Sequence, residues 1–175
     1  MPWAVGLLWL LAPLAAGAEQ GSAGGIHWTV PSRWRTQPPR TMRVATYLLP
    51  GAKGSETGEC AVFYFGKGQG GGVEENLARW AKQFEQPAFG KTTTRTVGGL
   101  RVHVTDIAGT YLESGGPMME PREKKPNYRL LGAIVEAPEG LVFIKCTGPA
   151  ATIGQAEQDF DRLIQSLGKG DTTTI

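Results

Sequence analysis

A glycine-rich run is the feature of this sequence that most resembles a binding motif. Five of the seven residues from Gly66 to Gly72 are glycine. The run joins a predicted strand to a predicted helix, where free backbone N–H groups and the helix dipole can hold a phosphate, sulfate or carboxylate. If the chain binds a small anion, we expect the run and one face of the helix to do so: Gly66, Lys67, Gly68, Gln69, Gly70, Gly71, Gly72, Asn76 and Arg79.

Other features of this run favour a simple connection between strand and helix. It is not a P-loop, because Lys67 precedes the glycines and no Ser or Thr follows them. Glu74 and Glu75 lie in the first turn of the helix, where their carboxylates satisfy the dipole and repel an anion. Glycine is also the residue that tight turns require. The sequence therefore leaves a ligand site and a connecting loop as alternatives.

Lys145 precedes the second predicted helix and is a second candidate contact for an anion. Thr152 and Gln155 have the spacing of a capping box, which occupies the free donors of that helix. We therefore expect Lys145 to be a solvated residue on a strand face. The helix start is accordingly a weaker candidate than the glycine run.

Residues 32–43 carry four arginines around Trp34. Basic and aromatic side chains interleaved in this way can engage nucleic acid or an acidic partner. The formal net charge is only +2, so no global field draws the chain to nucleic acid or to anionic lipid. We expect a solvated basic rim with Trp34 packed inward, and no nucleic-acid partner.

Catalysis and metal binding have little support in the sequence. The two histidines, His27 and His103, are far apart, and no H-x-x-x-H or C-x-x-C pattern occurs. Cys60, His103 and Asp106 can be written as a nucleophile set, but a hydrogen-bonded imidazole within a strand is the expected role of His103. We predict no catalytic residue, no metal site and no cofactor.

The first eighteen residues predict export from the cytoplasm. They contain no charged side chain, and their apolar run from Trp3 to Leu14 is too short to span a membrane. Ala16 and Ala18 give the small-x-small pattern that signal peptidase accepts, which predicts a signal peptide over 1–18 and a mature protein that begins at Glu19. No Lys or Arg precedes the apolar run, and a buried N-terminal helix is the alternative. No later stretch is apolar enough to span a membrane.

Export determines how the two cysteines are interpreted. A single pair in an oxidising compartment favours a disulfide, and we expect Cys60 and Cys146 to lie on neighbouring strands and pair. Two separate buried thiols, or a reactive thiol, are the alternatives.

Hydrophobic periodicity and turn residues predict one α+β domain over 26–168. Residues 19–25 are expected to form a flexible N-terminus, 114–126 an exposed loop, and 169–175 a polar tail. The predicted elements are strands at 26–30, 42–49 and 60–65, a helix at 73–84, a hairpin across 98–99 with its second strand at 100–112, a hairpin across 138–140, and a helix that begins at Thr152 and ends before Gly168.

Several stretches resemble the PsbP-like α/β/α sandwich group. They are HWTVPSRW near the start, an early ATY strand, NLARW in the first helix and FDRLIQSL in the last. The stretch FYFGKGQGGGVEENLARWAKQF, with FIKCTGP downstream, is most similar to uncharacterised exported bacterial proteins of that type. The resemblance covers about 26–168 and implies a central antiparallel β-sheet flanked by two main α-helices.

The same resemblance implies no activity, because the group contains adaptor and accessory members. We therefore expect an exported, non-enzymatic accessory or protein-interaction domain in the periplasm or outside the cell. Its expected partner is another protein of the cell envelope. A small-anion binder that uses the Gly66–Gly72 run is the alternative.

Overall fold

The computed structural model describes residues 17–114 and 121–170. Within these ranges the chain forms the strands β1 (Gln20–Ala23), β2 (Ile26–Thr29), β3 (Arg35–Thr36), β4 (Ala45–Leu49), β5 (Gly58–Tyr64), β6 (Phe89–Val97), β7 (Leu100–Ser114), β8 (Pro121–Ala137), β9 (Gly140–Pro149) and β10 (Gly168–Lys169), and the helices α1 (Val73–Ala81) and α2 (Ala150–Gln165).

Seven of the described strands form one antiparallel sheet in the order β3-β4-β5-β9-β8-β7-β6. The predicted hairpins across 98–99 and 138–140 join β6 to β7 and β8 to β9. The described strands β1, β2 and β10 form a second, smaller antiparallel sheet. The α+β class and the central antiparallel sheet are thus confirmed.

One face of the large sheet carries the main core. Helix α2 packs there with Phe160, Leu163 and Ile164, and Trp28 of β2 is buried beside it. These helix residues belong to the apolar stripe that the sequence predicts, because positions three and four apart share one helix face.

The opposite face carries a smaller core under α1. Trp80 and Phe84 are buried against Leu130, Ile134 and Phe143 of the sheet. Gly132 lies directly below the Trp80 ring, and a Cβ atom there would collide with it. Helix α1 ends at Ala81, shorter than predicted.

The predicted pairing of the cysteines is confirmed. Cys60 of β5 is directly opposite Cys146 of β9 in the sheet register, with their Cα atoms 3.9 Å apart, and the two form a disulfide. Both residues are buried in the main core. The disulfide joins positions separated by 86 residues of sequence.

Both chain ends contain strands that the sequence does not predict. Residues 20–23, within the segment expected to be flexible, pair with β2, and Gly21 contacts the Trp28 ring. The expected polar tail begins with Lys169 of β10, which pairs with Ile26. Both strands are held by backbone hydrogen bonds, and their small or polar side chains give no hydrophobic pattern. The remaining tail residues, 171–175, lie outside the described residues.

The predicted exposed loop at 114–126 is wrong in its second half. Strand β8 begins at Pro121 and pairs with β7 through Lys124 and Lys125. Residues 115–120, and residues 1–16 of the predicted signal peptide, lie outside the described residues.

The predicted capping box of α2 is also wrong. The N-cap residue is Pro149, and no side chain caps the helix. Thr152 Oγ1 instead accepts a hydrogen bond from the Ala52 N–H (3.1 Å) and donates one to the Glu56 carbonyl (2.6 Å). Thr152 therefore ties the β4–β5 loop to α2.

Candidate functional site

A groove of about 550 Å³ lies on the face of the large sheet that α1 covers only in part. We call it the sheet groove. Its charged and aromatic lining residues are Arg43, Glu59, Phe63, Tyr111, Glu113, Lys125, Tyr128 and Lys145.

Strands β5 and β9 form the floor of the sheet groove. Ala61 is opposite Lys145 in the antiparallel register, and Glu59 is opposite Thr147. Side chains alternate between the two faces of a strand, so these four residues point away from the disulfide and into the groove. The disulfide-linked pair of strands is therefore also the support of the site.

The long β7–β8 hairpin forms one wall of the groove. Its register shifts between Gly109 and Tyr111, and Asn127 has a φ of 54°, the left-handed region that Asn tolerates better than most residues. Such irregularities bend a strand and redirect its side chains. Beyond the shift, the Tyr111 ring stacks on Tyr128 with 5.8 Å between centroids.

The segment that follows α1 closes the groove next to Tyr111. The Gln83 carbonyl accepts a hydrogen bond from the Leu112 N–H, and the Glu85 N–H donates one to the Thr110 carbonyl, each at 2.8 Å. This pairing brings the Gln83 side chain over the floor, where its Oε1 accepts a hydrogen bond from Lys145 Nζ (2.5 Å). Lys145 Nζ also lies 5.7 Å from the centroid of the Tyr111 ring.

The cationic side chains that line the groove differ in whether they contact a carboxylate. Arg43 forms a 2.6 Å ion pair with Glu59, and Lys125 lies 3.3 Å from the Glu113 carboxylate. Lys145 contacts no carboxylate among the described residues; its hydrogen-bond acceptor there is the neutral Gln83. The groove therefore holds one cation whose charge is not compensated by contact with an acidic side chain.

This environment shifts the pKa of both Lys145 and Tyr111. Burial lowers the pKa of Lys145 to about 8; nearby Arg43 acts in the same direction, and Glu59 opposes it. Lys145 is therefore mainly protonated at neutral pH. Burial raises the pKa of Tyr111 above its ordinary value, with Glu113 and Glu59 adding to the effect. Tyr111 is consequently a neutral hydroxyl at neutral pH.

Sequence reasoning missed this site. The expectation that Lys145 is a solvated strand residue is wrong, because β5, Gln83 and Tyr111 surround its amine. Lys145 lies between Ile144 and Cys146 in an otherwise apolar run, and that isolated charge was the available signal. The positions of Gln83 and Arg43 depend on tertiary contacts that leave no pattern in the sequence.

The glycine run connects β5 to α1 and is joined to the helix by side-chain hydrogen bonds. Gly70 and Gly71 have φ values of 86° and 80°, which explains why glycine occupies these positions. The side-chain amide of Asn76 donates to the Gly70 and Gly72 carbonyls, each at 2.8 Å. Arg79 donates to Asn76 Oδ1 (3.0 Å) and forms a 3.4 Å ion pair with Glu75. Ligand binding by this run stays a prediction.

The basic segment is distributed over two surfaces. Arg33 pairs with the buried Asp159, whereas Arg40 and Arg43 pair with Glu59. Trp34 is buried, as the sequence predicts. Of this segment, Arg43 is the member that reaches the sheet groove.

The conceivable nucleophile set does not assemble. Cys60 is in the disulfide, and Asp106 accepts hydrogen bonds from Arg129 on the α2 side of the sheet. His103 lies on the opposite face with its ring nitrogens 3.1 Å from Thr94 Oγ1 and from Glu136 Oε1. His103 is thus a buried, hydrogen-bonded imidazole, as predicted.

Within residues 17–114 and 121–170, no group of three His, Cys, Asp or Glu side chains has the arrangement of a metal site. No helix in these ranges combines the length and apolar character needed to cross a membrane.

The architecture is that of an α+β sandwich domain with a PsbP-like fold. The sequence matches no protein-family model and no curated protein sequence. Solved structures share the fold at low identity, so the likeness concerns the fold alone.

Three solved structures illustrate this likeness. Cyanobacterial PsbP (CyanoP) from Synechocystis sp. PCC 6803 has a TM-score of 0.55 at 9% identity, over 90% of this chain and 96% of that one. LpqN, involved in cell envelope biogenesis of Mycobacterium tuberculosis, gives 0.56 at 10% identity, over 90% and 88%. PA94, a protein of unknown function and putative regulator from Pseudomonas aeruginosa, gives 0.51 at 13% identity, over 90% and 100%.

Proposed function

We propose that this chain is a non-enzymatic accessory domain that works outside the cytoplasm and binds a ligand in the sheet groove. Its partner in that role is another protein of the cell envelope. The observation that carries the proposal is the groove itself, which combines aromatic walls with an uncompensated ammonium group on a disulfide-linked sheet. A cavity of about 550 Å³ is within the size range of small-molecule sites.

The disulfide supports the proposed location. Disulfides persist in oxidising compartments and are rare in the cytosol. The Cys60–Cys146 pair is buried at the centre of the sheet, which is typical of a structural bond rather than of a transient redox pair. Together with the predicted signal peptide, it supports a periplasmic or secreted protein.

The chemistry of the groove supports binding rather than catalysis. Acyl-transfer and similar reactions need a nucleophile and a base within hydrogen-bond reach. Lys145 is hydrogen-bonded to a neutral amide, and Arg43 is held by Glu59. These are groups that position and neutralise a ligand.

Fragment screening by NMR tests the proposal. Amide chemical shifts of the uniformly labelled mature chain are followed with a library of anionic, cationic and neutral fragments. We expect the shifts to concentrate on β5 and β9 around Glu59, Ala61 and Lys145. The groove-facing substitution Thr147→Phe fills part of the cavity and is expected to remove them.

Thr96→Phe is the matched control, because Thr96 is an exposed residue of β6 outside the groove. It should leave fragment binding unchanged. If no fragment class perturbs the groove, or if Thr147→Phe leaves the perturbations intact, the proposed function is wrong.

A further inference from the structure

We propose that the ligand of the sheet groove is a small organic anion, with its carboxylate or phosphate group on Lys145 and its apolar body against Tyr111 and Phe63. This inference rests on the proposed function and specifies its ligand class. It is carried by the placement of one unpaired cation between aromatic walls.

The first step of the argument concerns charge. Each carboxylate of the groove already contacts a cation, Glu59 through Arg43 and Glu113 through Lys125. An ammonium group has three donors, and the described residues supply one acceptor, the neutral Gln83. An anionic group placed on Lys145 would supply the missing charge and acceptors, whereas a cationic ligand would meet repulsion from Lys145.

The second step concerns the cost of the unpaired charge. A desolvated cation without a counter-charge destabilises the free protein, which is visible in the lowered pKa of Lys145. An anion relieves that cost when it binds. Affinity for an anion therefore increases with the protonated fraction of Lys145.

The third step concerns the body of the ligand. The Tyr111 ring stacks on Tyr128 with an interplanar angle of 9°, and Arg43 lies 5.5 Å from the centre of the Phe63 ring. These contacts fix the orientation of the two rings, and both rings line the groove, so their remaining apolar surface can contact a planar or aliphatic group. A ligand that uses both walls and Lys145 is an organic anion rather than a bare inorganic ion.

The pH dependence follows from every charged or titratable group that faces Lys145 from the surrounding elements. Those groups are Arg43, Glu59, Tyr111, Glu113, Lys125 and Tyr128. An anion adds negative charge beside Lys145 and raises its pKa, so binding takes up protons near pH 8. Anion affinity should fall about tenfold between pH 7 and pH 9.5.

Four aromatic probes and inorganic phosphate separate the determinants; the aromatic probes are benzoate, phenyl phosphate, neutral benzyl alcohol and cationic benzylammonium. Binding to the mature chain is measured by NMR titration at pH 7 and pH 9.5. We expect benzoate and phenyl phosphate to bind at least tenfold more tightly than the other two. The better of these two anions identifies whether carboxylate or phosphate is preferred. Inorganic phosphate should bind more weakly than phenyl phosphate.

Two variants test the role of Lys145. Lys145→Met should weaken both organic anions about tenfold or more and abolish their pH dependence, because it removes the contacting charge. Lys125→Met removes an equal charge from the same groove, but one already paired with Glu113, so a loss of only two- to threefold is expected.

The outcomes separate this inference from the proposed function. Equal anion binding by Lys145→Met and wild type, or tighter binding of benzyl alcohol or benzylammonium, would overturn the anion assignment and leave the groove as a binding site. If neither organic anion binds at up to 10 mM while other fragments perturb the groove, the anion assignment is also overturned and the groove remains a binding site. If no fragment of any class perturbs the groove, the proposed function itself is wrong.

Discussion

Lys145 illustrates, at the scale of one residue, a conflict between stability and binding. Its pKa is lowered from 10.5 to about 8, so between these values the folded chain binds fewer protons than the unfolded chain. Stability therefore rises with pH over this interval, and the residue destabilises the fold most below pH 8. A side chain retained at such a cost is typical of a binding site.

This cost gives a prediction for Lys145→Met. The substitution should raise the free energy of unfolding at pH 7 by about 1–3 kcal/mol, because it removes a half-buried charge that contacts no carboxylate among the described residues. The gain should shrink towards pH 10, where the wild-type amine is mostly neutral. Urea unfolding at both pH values measures it.

The matched control is Lys91→Met, on an exposed position of β6. A surface substitution of this kind changes stability by no more than about 0.5 kcal/mol. If Lys145→Met were less stable than wild type at pH 7, the account of Lys145 as a destabilising charge would be wrong.

Asn76 is the residue that orders the glycine run. It is buried, and both donors of its side-chain amide are used by loop carbonyls. Asn76→Ala removes both side-chain hydrogen bonds and leaves the Gly70 carbonyl without its donor, whereas the Gly72 carbonyl keeps its bond from the backbone N–H of residue 76. The substitution should lower the free energy of unfolding by about 1–3 kcal/mol. Urea unfolding measures the loss.

Lys67→Ala is the control in the same run, because Lys67 is exposed. It should have a negligible effect on stability. Equal effects of the two substitutions would show that the run is not held by Asn76.

The sequence predicted the contact between Cys60 and Cys146, which lie opposite each other on neighbouring strands. It did not predict the contact between Gln83 and Lys145, which depends on how distant segments pack. Cys60 and Cys146 were predicted to pair because they are the two cysteines of a chain expected to be exported to an oxidising compartment. Gln83 contacts Lys145 only because the segment after α1 pairs with β7, and nothing in the residues around Gln83 indicates that contact.

At the scale of elements, Thr152 connects α2 to the loop before β5. It is fully buried and bonds to the backbone at Ala52 and Glu56. Thr152→Val preserves the shape but removes both bonds, so we expect a loss of about 1–3 kcal/mol in the free energy of unfolding. Urea unfolding measures this loss.

Gln155→Ala separates this role from a capping box. In a capping box, Thr152 and Gln155 would both stabilise the helix start. Gln155 is exposed and reaches only the Pro50 carbonyl at 3.3 Å, so its substitution should cost little. Comparable losses at both positions would favour the capping box.

The disulfide couples β5 to β9, the two strands that form the groove floor. It closes a loop between positions 86 residues apart, and the chain-entropy model gives about 4–5 kcal/mol for a loop of this length. The double variant Cys60→Ala/Cys146→Ala should therefore lose about 2–5 kcal/mol. Urea unfolding with and without dithiothreitol measures it.

In that experiment dithiothreitol should shift the wild-type transition and leave the double variant unchanged. Denatured wild-type protein without reductant should also show no titratable thiol. An unchanged midpoint in the double variant would contradict a stabilising disulfide.

Helices and strands with a clear hydrophobic pattern were predicted from the sequence. Short strands that are held mainly by backbone hydrogen bonds were not predicted. The apolar stripes of α1 and α2 and the apolar strands β5 and β9 are visible in the sequence. Strands β1 and β10 are short and small-residue or polar, and their formation depends on hydrogen bonds to β2. Such pairing follows from the finished fold and leaves no periodicity.

At the scale of the whole molecule, the fold was predictable and the site was not. The order of strands and helices is a global property that many residues encode together. The sheet groove depends on the register shift between β7 and β8 and on the pairing of the segment after α1 with β7, which no sequence pattern indicates. The PsbP-like fold therefore does not by itself assign the groove a role.

Cleavage of the predicted signal peptide after Ala18 is a prediction about the whole molecule, and the position of β1 bears on where cleavage occurs. Strand β1 begins at Gln20, and Glu19 precedes it with its carbonyl accepting a 2.8 Å hydrogen bond from the Val30 N–H. Cleavage after Ala18 keeps this contact, whereas cleavage a few residues later would remove part of β1. We therefore expect the native protein to begin at Glu19, which intact-mass spectrometry and N-terminal sequencing of the exported protein measure. Retention of residues 1–18 would contradict the export prediction, and a start beyond Gln20 would show that β1 is dispensable for the mature fold.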